Sequence, residues 1–148
     1  MRIGVPKEIK PQENRIGLTP DSVKTLVSEG HEVLIENNGG FEAGFDNDQY
    51  KNAGAKIIEK ATDIFNDAEI IVKVKEPQKV EVEMIRENQI VYTYLHLAAA
   101  KELTEGLVKS KSINIAYETI TDDNGRLPLL APMSCLLYTS DAADEYSR

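Results

Sequence analysis

The sequence predicts an α/β domain, a doubly wound parallel sheet with helices on both faces. Six apolar runs of strand length alternate with segments of helical periodicity, the pattern of βαβ units. Ile70, Ile71, Val72 and Val74 read as a strand buried on both faces, as a covered parallel sheet requires. Right-handed crossovers then narrow the topology to a doubly wound layer. With 148 residues, 41% of them hydrophobic, the chain suffices for one domain with a real core. A chain of that size buries about 68–70% of its unfolded surface.

The first strand falls at residues 2–6. Thr19 can cap the helix that follows, Pro20 suits its first turn, and Asp21 complements the positive end of its dipole. Val23, Leu26 and Val27 form its buried stripe, and Gly30 stops it. Later strands are expected at residues 32–36, 55–58, 70–74, 89–95 and 113–117. Helices are expected at residues 46–53, 62–66, 80–87 and 100–109, and turns at Asn38-Gly39-Gly40 and Asp123-Asn124-Gly125. The segment around Gly39 and Gly44 has neither the G-x-G-x-x-G spacing nor the Lys-Ser/Thr ending of a phosphate loop. It reads as a glycine-rich surface loop before a helix.

Composition removes several function classes. Net charge is −8, from 25 acidic against 17 basic residues with no basic block, which argues against nucleic acid and anionic membranes. There is no tryptophan for a base-stacking platform. A single cysteine, Cys135, rules out an internal disulfide and a cysteine-based metal cage within one chain. No stretch approaches the roughly 18 apolar residues of a membrane span, and the N-terminus lacks a signal-peptide run, so the expected compartment is the cytosol.

Ligands of open parallel sheets bind beyond the carboxyl ends of the strands. That rule singles out Arg15, in the loop after the first strand, Lys75 at the end of the fourth, and His96 at the end of the fifth. Glu118 reaches the same rim from the sixth, in a role the sequence leaves open. Arg15 is either a solvated loop arginine or a bidentate carboxylate clamp. Lys75 either marks the strand end or meets a ligand. His96 is either satisfied by a backbone carbonyl or a proton carrier, since its ordinary pKa near ~6.5 suits neutral pH. Lys73 is expected to reach its ammonium to water along its own stem. His31, between helix and strand, reads as structural. Tyr92 and Tyr94 read as packing residues, with Tyr94 also placed to line a pocket.

No Ser-His-Asp or Cys-His spacing, metal cluster or phosphate loop is present. Two fixed cations and an imidazole suit a small anion with a carboxylate and a second polar centre, such as a 2-oxo acid.

Over residues 1–134 the chain resembles the alanine dehydrogenase family. The pieces are "MRIGVPKEIKPQENRIGLTP", "AGFDNDQYKNAGAKI", "IIVKVKEP", "TYLHLAAA", "AYETI" and "LPLLAPMS", in order and at family-like separations. The resemblance implies the substrate-binding first domain of a two-domain dehydrogenase, with NAD bound by a second, Rossmann domain. It implies that Arg15 and Lys75 bind the substrate carboxylate and carbonyl, that His96 is the acid/base, and that Met133 lines the pocket. Ser134 is implied as a cofactor contact. The implied reaction is reversible oxidative deamination of L-alanine to pyruvate and ammonia, by a cytoplasmic hexamer when full length.

Three other readings stand beside it: a transhydrogenase NAD-binding subunit, a non-catalytic 2-oxo acid binding module, and a domain in which the three residues are incidental. The histidine in "YLHLAAA" favours the dehydrogenase over the transhydrogenase. After Ser134 the family pattern stops, and residues 135–148, "CLLYTSDAADEYSR", are expected to be a non-family tail of artefactual or disordered character. A chain ending there is expected to lack hydride transfer and to leave apolar surface uncovered.

Overall fold

The computed structural model describes residues 1–132. Six strands, β1 (Arg2–Val5), β2 (Glu32–Glu36), β3 (Lys56–Ile58), β4 (Ile70–Val72), β5 (Ile90–Thr93) and β6 (Ile113–Ala116), form one sheet in the order β3-β2-β1-β4-β5-β6. Every neighbouring pair is parallel. The doubly wound expectation therefore holds, and the strand order reverses between β1 and β4. That is where a crevice opens in such sheets.

Strand alternation explains how both faces are covered. Ile3, Val5, Val33 and Ile35 turn to one face, packing with Val23 of α1 (Pro20–Ser28) and Tyr50 of α2 (Asn47–Asn52). Leu34, Ile71 and Val91 turn to the other, against Ile64 and Phe65 of α3 (Ala61–Asp67) and Leu107 of α5 (Lys101–Ser110). Gly4 lets α3 approach, because a Cβ there would lie 2.5 Å from Ile64 Cγ2 and 2.7 Å from the Ala68 Cβ. Each fully buried Ile, Val or Phe contributes about 1.5–3 kcal/mol of transfer free energy.

Local signals set the helix starts. Thr19 Oγ1 accepts from Ser22 N–H at 3.3 Å, and Asp46 and Gln49 form a reciprocal capping box. Gly30, at φ 84°, follows the end of α1. The last carbonyls at the end of α3 are capped from afar. Arg86 and Gln89 each donate to both Phe65 O and Ala68 O, at 2.7–3.0 Å.

Three expectations change. The helix expected at residues 80–87 shrinks to α4 (Lys79–Val82), whose capping box (Gln78 with Glu81) fixes only its start. β4 and β5 end two residues early, at Val72 and Thr93, so Lys73, Lys75 and His96 lie beyond the strands in the loops that follow them. The glycine segment is not a plain surface loop, since Gly39 and Gly40 are buried. A Cβ on Gly40 would meet the Tyr50 ring at 2.7 Å, so the turn is packed onto α2.

Candidate functional site

The loop of residues 6–19 leaves β1 and crosses to the end of β4. Glu8 is buried there. Its Oε1 accepts from Val74 N–H at 2.7 Å, and its Oε2 lies 3.1 Å from Lys73 Nζ. Lys73 Nζ also lies 2.8 Å from Glu81 Oε1 of α4. Lys73 is 1% exposed, so the expectation that it reaches water is overturned. A buried ammonium requires carboxylate partners, and here two converge from other parts of the chain. Burial pushes the Glu81 carboxyl up, and Lys73 opposes that shift only in part.

This buried triad fixes the segment that carries Lys75 and Glu76. Lys75 itself is half-buried, and its carbonyl accepts from Thr93 Oγ1 at 2.9 Å. Gly17 brings the loop back against β4. A Cβ there would sit 2.7 Å from the Val72 carbonyl oxygen, so only glycine allows that approach.

Arg15 is 48% exposed along its side chain and grips Glu13 with one edge of its guanidinium. Its Nε donates to Oε1 at 2.8 Å and its Nη2 to Oε2 at 2.7 Å. The Arg15 guanidinium holds the Glu13 carboxyl at about 2, well below its ordinary range, with a smaller contribution from the Lys75 charge. Glu13 in turn raises the Arg15 pKa, with burial opposing and Glu8 and Tyr94 adding to the rise. Glu13 thus lies within electrostatic reach of both Arg15 and Lys75, and Arg15 within reach of Glu8 and Tyr94.

His96 completes the rim. It sits in the left-handed region (φ 50°, ψ 41°), unusual for a non-glycine residue. Glu118 accounts for that conformation: its carboxylate accepts from His96 N–H at 2.6 Å and from Leu95 N–H at 3.0 Å. The role the sequence left open for Glu118 is therefore a backbone clamp on His96. The imidazole stacks on Tyr94 with centroids 6.2 Å apart, and its Nδ1 lies 3.8 Å from Glu76 Oε2. Tyr94 donates to the Leu129 carbonyl at 2.7 Å and packs edge-on against Tyr117. Burial, with Tyr92 and Tyr94 nearby, pushes the Tyr117 phenol up.

The Glu76 Oε1 pairs with Lys10. Burial works against its ionisation, but the Lys10 ammonium and the Glu76 backbone N–H, with His96 nearby, outweigh burial and hold the carboxyl below its ordinary value.

Two concavities border this rim. One of about 670 Å³ lies between α4 and α5 and touches the rim only at Glu76. The other, about 410 Å³, opens beside His96 and is walled by Ala98, Ala99, Ala116, Glu118 and Thr119. The smaller one adjoins His96, and three alanines make its wall largely apolar.

The structure thus gathers Arg15, Lys75, Tyr94 and His96 on one edge. Met133 and Ser134, and residues 135–148, lie outside the described residues. The carboxylates Glu8, Glu13 and Glu76 were missed by sequence reasoning. Glu13 and Glu76 carried one signal, an acid one or two residues from a singled-out cation. Glu8 carried none, since its partner is 65 residues away.

The family described as "Alanine dehydrogenase/PNT, N-terminal domain" matches residues 4–137. The alanine dehydrogenase of Staphylococcus epidermidis is 49% identical over 134 residues, covering 90% of this chain and 36% of the relative. That of Methanococcus maripaludis is 48% identical over the same length and coverage. A solved L-alanine dehydrogenase superposes with TM-score 0.87 at 52% identity, covering 90% of this chain and 37% of that one. A transhydrogenase from Sinorhizobium meliloti superposes with TM-score 0.76 at 26% identity, covering 81% and 36%. The chain spans a little over a third of the length of the curated relatives it matches. It belongs to the alanine dehydrogenase/PNT N-terminal domain family.

Proposed function

We propose that residues 1–134 are the substrate-binding part of an alanine dehydrogenase, which interconverts L-alanine with pyruvate and ammonia using NAD. What supports this is that Arg15 and Lys75 both act on Glu13 while His96 stacks on Tyr94 at the carboxyl edge, in a chain 49% identical to an alanine dehydrogenase. Glu13 occupies only the Nε–Nη2 edge of Arg15, leaving the Nη1–Nη2 edge for a substrate carboxylate. Lys75 supplies positive charge to the carbonyl oxygen, and His96 carries the proton that this oxygen takes up or releases. The small apolar wall beside His96 suits a methyl group.

NAD is the hydride acceptor of the proposed reaction, and the described residues do not fit it. The first βα connection is a long loop without a glycine pair for a pyrophosphate, and the Ser22 N–H at the start of α1 is already taken by Thr19. Met133 and Ser134 keep their proposed roles as pocket wall and cofactor contact. The reading brings with it a homo-oligomeric, cytoplasmic enzyme, a hexamer when full length, with no nucleic-acid or membrane partner. The net charge of −8 supports the absence of nucleic acid, and among the described residues no helix is long and apolar enough to cross a membrane.

A second reading, a transhydrogenase-type subunit, rests on the TM-score of 0.76. It is the weaker one at 26% identity against 52%.

Calorimetric titration of pyruvate into the chain tests the proposal. The unmodified chain is expected to bind, and Arg15→Ala to lose about 2–5 kcal/mol, the cost of leaving a bound charge unpaired. Undiminished affinity in Arg15→Ala, or no binding by the unmodified chain, would sink the reading.

A further inference from the structure

Among the described residues, two buried side-chain oxygens lack a hydrogen-bond partner, Glu76 Oε2 and Asn114 Oδ1. Asn114 lies on β6, and its amide nitrogen is already engaged by Ser112. Glu76 is different, because a titratable ring faces its bare oxygen. A buried carboxylate oxygen without a donor is costly, and a short side-chain adjustment would bring His96 Nδ1 from 3.8 Å into hydrogen-bond range. Its sister oxygen is pinned by Lys10, so the carboxylate cannot turn away freely. The ring's backbone is clamped by Glu118 and one face stacks on Tyr94, which limits where the imidazole can point.

We propose that Glu76 is a positioning residue for His96: it holds the proton of the neutral imidazole on Nδ1 and leaves Nε2 bare as the proton acceptor. This rests on His96 being the proton carrier of the function proposed above. The chemistry is that of a carboxylate orienting an imidazole, in which the bond made by one ring nitrogen decides the state of the other. A Glu next to a substrate-binding Lys thus serves the neighbouring strand. Lys10 has a matching part, neutralising the carboxylate on its far side without touching the ring. The net lowering of the Glu76 pKa, which keeps it ionised at neutral pH, agrees with that part.

The test is nitrogen-15 NMR of the two imidazoles in the 148-residue chain, at a pH where both rings are neutral. His31 serves as the internal reference for an intact fold. In the unmodified chain, His96 is expected to show a protonated-type shift at Nδ1 and a bare-type shift at Nε2. In Glu76→Ala the two shifts should exchange while His31 stays unchanged. Lys10→Met breaks the same ion pair but spares the carboxylate, and should keep the proton on Nδ1. An Nε2-protonated ring in the unmodified chain overturns the proposal. So does an equal exchange in Lys10→Met and Glu76→Ala, which would make Glu76 only an anchor for the loop. None of these readouts depends on ligand binding. A failed pyruvate titration would therefore remove the functional reading and leave the tautomer result standing.

Discussion

The Lys73 ammonium lies 3.1 Å from Glu8 Oε2, and both side chains are 1% exposed. With Glu81 at 2.8 Å, two carboxylates share one buried cation beneath the segment that presents Lys75. Removing the cation leaves two buried negative charges. Lys73→Met is expected to cost about 3–5 kcal/mol in urea unfolding. A loss under about 1 kcal/mol, the scale of an exposed pair, would show that the triad is not buried in solution.

Glu81 gives this triad a pH signature. Burial raises its pKa above the ordinary 4.5. An acid raised in the fold contributes its stability below the unfolded value, and that contribution is lost as pH rises through the folded value. Unfolding free energy should therefore decline as pH climbs above 4.5, and Glu81→Gln should flatten that decline. An unchanged slope in the variant would assign the decline to other groups.

Glu13 behaves in the opposite sense. Its pKa falls from 4.5 to about 2, chiefly through the Arg15 hydrogen bond. A depressed acid stabilises above its unfolded value and loses that contribution as pH falls through the folded one. The Glu13–Arg15 pair should hold down to about pH 2, read from the Glu13 carboxyl carbon by NMR. Titration near 4.5 would mean that the pair is absent. Arg15→Lys should move the midpoint upward, because an ammonium cannot present the two-pronged edge.

Glu118 is the only described side chain shown to clamp the backbone at Leu95 and His96. Glu118→Ala leaves the N–H of buried Leu95 without its acceptor, at about 1–3 kcal/mol, while water can replace it at the exposed His96 N–H. It should also release His96 from its left-handed backbone. Thermal unfolding reads the first effect and the His96 α-proton shift the second. Glu118→Gln keeps one acceptor oxygen and should fall between.

Gly17 couples the Arg15 loop to β4. Gly17→Ala forces a methyl group to 2.7 Å from the Val72 carbonyl oxygen. The expected cost is about 1–3 kcal/mol of overpacking, together with weaker pyruvate binding as Arg15 shifts. Stability lost with affinity intact would show that the loop moves without carrying Arg15 from the site.

Much of the fold was legible because it rests on short-range chemistry. Alternating Ile and Val runs set all six strands, and Thr19, Pro20, Asp46 and Gly30 mark helix ends through bonds a few residues long. The end of α5 was placed one residue short. It stops at Lys111 in a left-handed conformation, where no glycine announces the turn. Arg15, Lys75 and His96 were findable because parallel strands all end on one edge, so residues that follow strand ends share it.

What the sequence could not decide is which carboxylate each of these cations and this imidazole would meet. Whether Lys73 faces water or two glutamates depends on a loop folding back across 65 residues and on the placing of α4. Desolvation makes the answer sharp, since a buried ammonium without a partner is too costly to persist. By itself the sequence determined the layer, its strands and the edge where a ligand can bind, while the strand order came from the structure. Only the tertiary structure decided that Glu8, Glu76 and Glu118 hold that edge in place, because contacts between distant segments exist only once the chain has closed on itself.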